Sequence, residues 1–303
     1  MAQECIDAYI RGGDTAHLAA LDVVRAFPRV NHDAVLIKLF ERNFPQPIID
    51  LISGWFLRAS FKVKWCNHVS DSFIMRTGIN QGSVLAPFIF ALLMDDNFLN
   101  CTYWLHYDKG IILVYADDIS LITRSRKHLQ EFFSCVESEL GRINLQLNAK
   151  KCTVMRVGPL FDKPCVPILT SARDKVPMVN VTRYLGVHFV AGRTFRVSMD
   201  LPKRSFNRAA NSILGRLQGS ATEDVLFHLI TTKAVPILLF ATESVNLSKS
   251  VIASLDFCVL KFVMKIFKSS NRDLVLQCLQ YFNFKLPSSL LVTRKEKFTS
   301  AFT

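Results

Sequence analysis

One stretch in the middle of the chain, residues 111–122, constrains the fold most, because two apolar runs meet there at a pair of adjacent carboxylates. Both runs are rich in Ile, Val and Leu, which is typical of buried strands. The pattern predicts a hairpin with Asp117 and Asp118 at its tip. Carboxylates at the edge of a core need a compensating cation, since burial penalises their charged form.

The hairpin itself supplies no cation, because no Lys or Arg lies between Ile111 and Thr123. Compensation therefore comes either from a basic residue that the fold brings in or from a divalent metal ion. Hard cations such as Mg²⁺ prefer carboxylate oxygens. The alternative interpretation is a solvated Asp-Asp turn that needs no partner.

A second isolated acid follows an earlier apolar run. Residues 18–24 predict a buried strand that contains Asp22, and a helix follows with Asn31 or Asp33 as its N-cap. As an alternative, Asp22 is an ordinary strand-to-helix turn residue. Two acids at the ends of separate strands, Asp22 and Asp117, are nevertheless the kind of pair that nucleotidyl transfer with two divalent ions requires.

Composition favours a polyanionic partner. The chain has 303 residues, half of them hydrophobic, which is enough for one large domain or two smaller ones. Lys and Arg exceed Asp and Glu by 37 − 25 = 12. This excess suits nucleic acid or an anionic membrane surface, and its spread along the chain favours a basic groove over a basic tail.

The compartment is expected to be the nucleus or the cytoplasm. The N-terminus lacks the basic and apolar regions of a signal peptide, and the most apolar segments are too short to span a bilayer. We therefore expect an intracellular protein that is neither secreted nor bound to a membrane. The eight cysteines have no zinc-ligand spacing and are expected to be reduced thiols in the core.

Other elements follow from apolar periodicity and from glycine. Residues 129–140 have the spacing of a helix with one buried face, ending at Gly141. Residues 77–87 form a glycine-punctuated loop that suits close approach of a base or sugar, or alternatively a plain loop capped by Ser83. Lys151, in a basic turn, either is solvated or faces a phosphate.

The order of elements predicts an α+β fold of the split βαβ kind, with an antiparallel sheet. After residue 200 the sequence pattern is typical of helices, and we place a domain boundary near residue 195. The predicted C-terminal helices cover residues 202–217, 223–240, 249–267 and 271–281.

Five short segments in this order resemble motifs A to E of reverse transcriptases, most closely those of non-LTR (LINE-type, Jockey-like) retrotransposons. They are LDVVRAF at 21–27, GINQGSVLAP at 78–87, YADD at 115–118, LNAKKC at 147–152 and YLG at 184–186. The resemblance implies a right-hand polymerase, with a palm and partial fingers in residues 1–195 and a helical thumb or connection region in residues 196–303.

The resemblance also implies roles for single residues. Asp22 and Asp117, with the carbonyl of Val23, would bind metal, Asp118 would support the site, and Lys151 would lie near the triphosphate as a proton donor. Phe27 would be the steric gate that excludes a ribose 2′-hydroxyl. The implied substrate-contacting positions are Val23, Phe27, Gln81, Gly82 and Tyr115, and the implied primer grip is Tyr184, Leu185 and Gly186.

The activity that this resemblance implies is RNA-directed DNA polymerisation. The implied cofactor is a pair of Mg²⁺ ions, with Mn²⁺ as a substitute, and the implied partners are an RNA template, a DNA primer and a dNTP. Pro28 departs from the family pattern, which has an acid there, and Ala86 replaces a common Ser.

Only about twenty residues precede motif A, so we expect the basic residues of the upstream fingers to be missing. The alternatives are an inactive fragment that binds RNA or an RNA–DNA duplex, and a relic of an element without selected function.

Overall fold

A computed structural model describes residues 2–104, 109–217 and 221–301, with side chains excluded at 96–104. The chain divides into two compact units. The first comprises Met1–Leu185 and Ala191–Phe195, and the second comprises Gly186–Val190 and Arg196–Thr303.

The first unit combines helices with antiparallel strands. Its helices are α1 (Ala2–Arg11), α2 (His32–Glu41), α3 (Gln46–Arg58), α4 (Ala86–Trp104) and α5 (Arg126–Arg142). Its strands are β1 (Ala16–Asp22), β2 (Ser60–Phe61), β3 (Lys64–Trp65), β4 (His68–Val69), β5 (Phe73–Ile74), β6 (Gly110–Tyr115), β7 (Asp118–Thr123), β8 (Thr153–Val157) and β9 (Val181–Tyr184).

A four-stranded antiparallel sheet in the order β6-β7-β1-β8 forms the centre of this unit. Helix α5 contacts β7 and β1, and its periodic apolar face is buried, as the sequence predicts. The N-cap prediction for α2 is also confirmed, because the Asn31 side chain accepts from the N–H groups of Asp33 and Ala34. The predicted α+β class is therefore correct.

Residues 60–74 form two short antiparallel pairings. Strand β2 pairs with β5, and β3 pairs with β4. Both strands of the inner pair are exposed, including Lys64 and Trp65.

The second unit contains strands β10 (Val187–Val190) and β11 (Arg196–Ser198), which pair antiparallel, and a helical core. The core is built on fully buried residues such as Phe206, Leu255 and Val259. The helices are α6 (Asp200–Leu217), α7 (Glu223–Leu229), α8 (Val235–Leu238), α9 (Lys249–Ile266), α10 (Arg272–Tyr281) and α11 (Pro287–Ser300).

Two predictions need correction, and one helix is missing from them. The single helix predicted over 223–240 is interrupted by a π-helical segment, Ile230–Ala234, because Pro236 cannot donate to the helix and its ring disfavours the preceding turn. Helix α11 was not predicted. Of the seven cysteines with described side chains, only Cys152 is buried, and Cys66 is exposed, so most are not core thiols.

Among the helices that the structure describes, none has the length and apolar character needed to cross a membrane.

Candidate active site

Three aspartates lie at one end of the four-stranded sheet. Asp22, the last residue of β1, stands opposite Asp118, the first residue of β7. Tyr115, the last residue of β6, is the cross-strand partner of Asp118 on its other side. Ala116 and Asp117 form the connection between β6 and β7. Pairing of β1 with β7 therefore places Asp117 one residue from the position opposite Asp22.

Backbone bonding defines how the acids face each other. The N–H of Asp22 donates to Cys152 Sγ at 3.4 Å, and its carbonyl accepts from Asn148 N–H at 2.8 Å. Because both groups point away from β7, Asp22 and Asp118 form a non-hydrogen-bonded pair, with Cα atoms about 4.5 Å apart and side chains on one face.

The carbonyl of Val23 faces the opposite edge from that of Asp22, because carbonyls alternate along an extended strand. Val23 is still extended, in a bridge with Leu147. Its carbonyl therefore points toward the edge of β1 that carries the Asp117 turn.

The hairpin tip is exposed to solvent, which corrects the prediction of two buried strands. Strand β7 is buried, but β6 is an edge strand with partly and fully exposed residues, and Asp117 and Asp118 are both exposed. Ala116 has φ 51°, as the first residue of a mirror-image hairpin turn requires. For a non-glycine residue this conformation costs about 1–2 kcal/mol.

The acids influence one another electrostatically. Although Asp118 is exposed overall, partial desolvation of its carboxylate, and then the charges of Asp117 and Asp22, raise its pKa, while the charge of Arg183 opposes the increase. Burial also raises the pKa of Tyr184 to about 12, with a further contribution from the Asp118 charge. Carboxylates that repel in this way are neutralised by any cation bound between them.

The fold brings two basic residues to the acids. Lys151 Nζ lies 3.7 Å from Asp22 Oδ2, with side chains 69% and 43% exposed, and Arg183 acts on Asp118. An exposed pair of this kind contributes at most about 1 kcal/mol. Because this ion pair is weak, Asp22 can exchange Lys151 for a metal ion.

The donor set fits a hard divalent cation completed by substrate. Asp22, Asp117 and the carbonyl of Val23 offer oxygen ligands only, and Mg²⁺ is commonly bound by one or two carboxylates together with substrate phosphates. In the described part of the chain, no group of three or more His, Cys, Asp and Glu side chains forms a metal site by itself.

Phe27 lies in the turn that follows β1. It begins the 3-10 helix Phe27–Arg29, and its ring stacks on the buried ring of Phe90, with centroids 4.8 Å apart and planes at 23°. Its carbonyl accepts from Ile79 N–H at 3.0 Å. Pro28 occupies the start of this short helix, where the missing N–H is tolerated.

The glycine loop packs directly on this turn. Gly78 has φ 88°, and a Cβ there would lie 2.7 Å from the carbonyl oxygen of Pro28. Further along, Gln81 and Gly82 are exposed, and Gly82 has φ 93° with open space around it. Ser83 Oγ accepts from Ala86 N–H at 3.1 Å, so the loop is also capped as the alternative interpretation expected.

The predicted primer-grip turn lies where the chain passes from the first unit to the second. Leu185 has φ 46° and Gly186 has φ 82°. The positive φ of Gly186 favours glycine, because other residues rarely adopt it. A Cβ there would also lie 2.8 Å from the exposed ring of Phe240, which can move aside. Tyr184 is the member of the turn that reaches the acids, through its interaction with Asp118.

The hairpin pattern did not indicate Asn148, Cys152 or Arg183 as part of the site. Asn148 and Cys152 form hydrogen bonds with the backbone of Asp22. The charge of Arg183 lowers the pKa of Asp118. All three residues are distant in sequence from the aspartate on which they act. The available signal was position, because Asn148 and Cys152 flank Lys151 and Arg183 precedes Tyr184.

Curated relatives of the chain come from mobile elements. It is 29% identical over 194 residues to "RNA-directed DNA polymerase from mobile element jockey" of Drosophila funebris, covering 61% of this chain and 21% of that protein. It is 27% identical over 188 residues to "Probable RNA-directed DNA polymerase from transposon BS" of Drosophila melanogaster, covering 58% and 20%. The chain thus spans about a fifth of the length of these relatives.

A solved structure with a similar fold is "Structure of apo telomerase from Candida Tropicalis". Its TM-score is 0.53 at 12% identity, covering 98% of this chain and 54% of the other. This likeness concerns the fold alone.

A family model described as "Reverse transcriptase (RNA-dependent DNA polymerase)" matches residues 4–189. The match includes all five segments singled out in the sequence. It confirms the resemblance to reverse transcriptases, and the named relatives agree with the non-LTR group. The chain belongs to the reverse transcriptase (RNA-dependent DNA polymerase) family.

Proposed function

We propose that this chain is a polymerase core that extends a DNA primer on an RNA template by nucleotidyl transfer to the primer 3′-hydroxyl. The observation that carries the proposal is the cross-strand pairing of Asp22 with Asp118, which brings Asp117 to the same end of the sheet. An exposed acidic cluster in a chain of net charge +12 suits a metal-dependent site within a basic protein that binds polyanions.

In this proposal Asp22, Asp117 and the Val23 carbonyl hold two divalent ions, Mg²⁺ or in its place Mn²⁺. Bound ions lower the pKa of the attacking hydroxyl and neutralise charge on the phosphates. Asp118 keeps a third negative charge beside the two ligands and so strengthens attraction for a cation.

Lys151 is proposed to contact the triphosphate of the incoming nucleotide. Its ammonium is 3.7 Å from Asp22 and largely exposed, so it is free to turn toward a phosphate when a metal ion takes its place at the carboxylate. There it donates a proton to the leaving pyrophosphate oxygen, as a general acid.

Substrate recognition is proposed to use residues around the acids. Phe27 excludes a ribose 2′-hydroxyl, Gln81 and Gly82 lie under the incoming nucleotide, and Tyr115 contacts it from the end of β6. The turn Tyr184-Leu185-Gly186 holds the primer strand.

Residues 1–195 are proposed as the palm with partial fingers and residues 196–303 as the thumb or connection region. Several basic side chains on α6 are exposed or partly so, including Lys203, Arg204 and Arg208. They suit phosphate contacts, which make binding of a template–primer duplex weaker at high salt.

Primer extension on an RNA template tests the proposal. We expect Mg²⁺-dependent incorporation of deoxynucleotides, and a loss on the order of 10³-fold in Asp117→Asn with duplex affinity unchanged. Asp71→Asn, a change at an exposed aspartate in the segment between β4 and β5, is the matched control. If the unaltered chain binds the duplex but incorporates nothing, the function is binding and the polymerase proposal is wrong.

A further inference from the structure

His32 joins three parts of the first unit. It is the first residue of α2, and its ring stacks on Phe56 of α3, with centroids 4.0 Å apart and planes at 4°. Its Nε2 lies 2.7 Å from the carbonyl oxygen of Gly78. Because a carbonyl can only accept, Nε2 carries the hydrogen of this bond.

The bond from His32 adds to two others at the start of the glycine loop. Gly78 N–H donates to the Val30 carbonyl at 2.7 Å, and Ile79 N–H donates to the Phe27 carbonyl at 3.0 Å. The backbone of Gly78 is thus held at its N–H by the turn after β1 and at its carbonyl by the first side chain of α2.

The same loop continues to the residues that the proposed function places under the nucleotide. Gln81 and Gly82 follow Ile79 within a few residues, and among the residues that the structure describes neither has a comparable hydrogen bond. Phe27, on the other side of the backbone bond to Ile79, is the proposed gate. Any shift of Gly78 therefore changes the spacing between the gate and Gln81.

We propose that His32 is a positioning residue of the nucleotide site, which holds the start of the glycine loop, at Gly78, against the Phe27 turn. The inference rests on the proposed function and deepens it. His32 does not touch the nucleotide; it sets nucleotide affinity and sugar discrimination through Gly78. The stack on Phe56 fixes the plane of the His32 ring in the rotamer that directs Nε2 toward the Gly78 carbonyl. Less conformational entropy is therefore lost when the hydrogen bond forms.

Two substitutions separate the ring stack of His32 on Phe56 from its hydrogen bond to Gly78. His32→Phe keeps a ring for the stack on Phe56 and removes the donor. His32→Gln removes the ring but keeps an amide N–H donor at a similar distance from the backbone. His68→Phe is the matched control, because His68 is exposed on β4 and undergoes the same chemical change.

Hydrogen exchange tests the anchoring without any need for activity. In His32→Phe we expect the amides of Gly78 and Ile79 to exchange about tenfold faster than in the unaltered chain, because their bonds open together with the loop. We expect little change in His32→Gln and in His68→Phe. Unchanged exchange in a folded His32→Phe would overturn the inference.

Primer extension tests the consequence. His32→Phe should raise KM for dNTP about tenfold with a smaller effect on kcat, and should lower the preference for dNTP over rNTP, and His32→Gln should restore both. If the unaltered chain extends primers and His32→Phe changes neither quantity, the positioning role is wrong while the proposed function stands. If the unaltered chain is inactive, the proposed function fails and the exchange experiment still decides the anchoring.

A folding defect would be detected by thermal unfolding of each variant. Should His32→Phe fail to fold, His32→Gln and His32→Asn replace it, because the shorter amide of Asn cannot reach the Gly78 oxygen as that of Gln does. Equal exchange rates at Gly78 in these two variants would then contradict the inference.

Discussion

Asp22 and Asp118 face each other across neighbouring antiparallel strands, with both side chains on one face of the sheet. Like charges directly opposite in a sheet are destabilising, and Asp117 in the adjoining turn adds a third. No packing requirement explains three acids at this point. The arrangement is understandable if a cation is bound there when the protein functions.

Asp118→Asn should increase the free energy of unfolding at neutral pH by a few tenths of a kcal/mol, since it removes repulsion among exposed charges. The pKa of Asp118 is raised in the folded protein, so the folded state binds this proton more tightly than the unfolded one. The unfavourable contribution of the Asp118 carboxylate to folding stability therefore appears as pH rises above the pKa of Asp in the unfolded chain, about 3.9.

Urea denaturation at neutral pH and near pH ~3 measures this effect. The stability difference between Asp118→Asn and the unaltered chain should be present at neutral pH and absent at low pH. A variant less stable than the unaltered chain at neutral pH would show that Asp118 makes a structural contact that outweighs the repulsion.

Gly78→Ala should destabilise the first unit by roughly 2–4 kcal/mol, because it combines a positive φ with a collision against the Pro28 backbone. Gly82→Ala is the matched control, since Gly82 has a similar φ but open space, and should lose only about 1 kcal/mol. Chemical denaturation of both variants gives the comparison. Equal losses of unfolding free energy in the two variants would mean that the close approach of Gly78 to the Pro28 backbone does not contribute to the destabilisation.

Tyr184→Phe should remove a loss of stability at high pH. The pKa of Tyr184 is raised to about 12, above the unfolded value of about 10. A group that ionises later in the folded state destabilises that state as pH rises from ~10 through ~12. Because the side chain is partly exposed, we expect the loss to be on the order of 1 kcal/mol.

Unfolding measured near pH ~9 and pH ~12 tests this, with Tyr281→Phe, at a strongly exposed tyrosine, as control. The stability of the unaltered chain should fall more steeply between these pH values than that of Tyr184→Phe. Parallel pH dependence of the two proteins would show that Tyr184 titrates as in the unfolded chain.

Phe27→Val should allow ribonucleotides into the proposed site. Removing the ring opens space for a 2′-hydroxyl, and we expect the ratio of kcat/KM for dNTP over rNTP to fall about tenfold or more. The variant should also lose about 1–3 kcal/mol of stability, because the stack on Phe90 disappears. Phe40→Val, at an exposed phenylalanine, controls for the substitution, and unchanged sugar discrimination would contradict the gate role.

Much of the first unit follows from local pattern. The apolar spacing in α5, the Asn31 side chain before α2 and the apolar runs of β1 and β7 each specify their element through nearby residues. The predicted end of α5, at Gly141, is less accurate. The helix continues to Arg142, and the left-handed residue after it is Asn144 rather than Gly141, since asparagine also adopts that conformation.

Exposure and long-range contacts could not be predicted in the same way. The run that forms β6 has the composition of a buried strand, but it lies at the edge of the sheet, and only the strand order reveals this. Likewise the bond from Asp22 to Cys152 and the approach of Lys151 and Arg183 depend on the pairing of β1 with β7 and β8. The acids themselves were predictable because each lies at or next to the end of a recognisable strand.

The most direct test of the account is whether Asp22 and Asp117 bind the same ions. Mn²⁺ binding to the complex with template, a terminated primer and dNTP can be measured by electron paramagnetic resonance for the unaltered chain, Asp22→Asn, Asp117→Asn and the double variant. We predict that either single change weakens binding on the order of a hundredfold and that the double change adds little more. Additive losses, or unchanged binding in either single variant, would contradict a shared metal site.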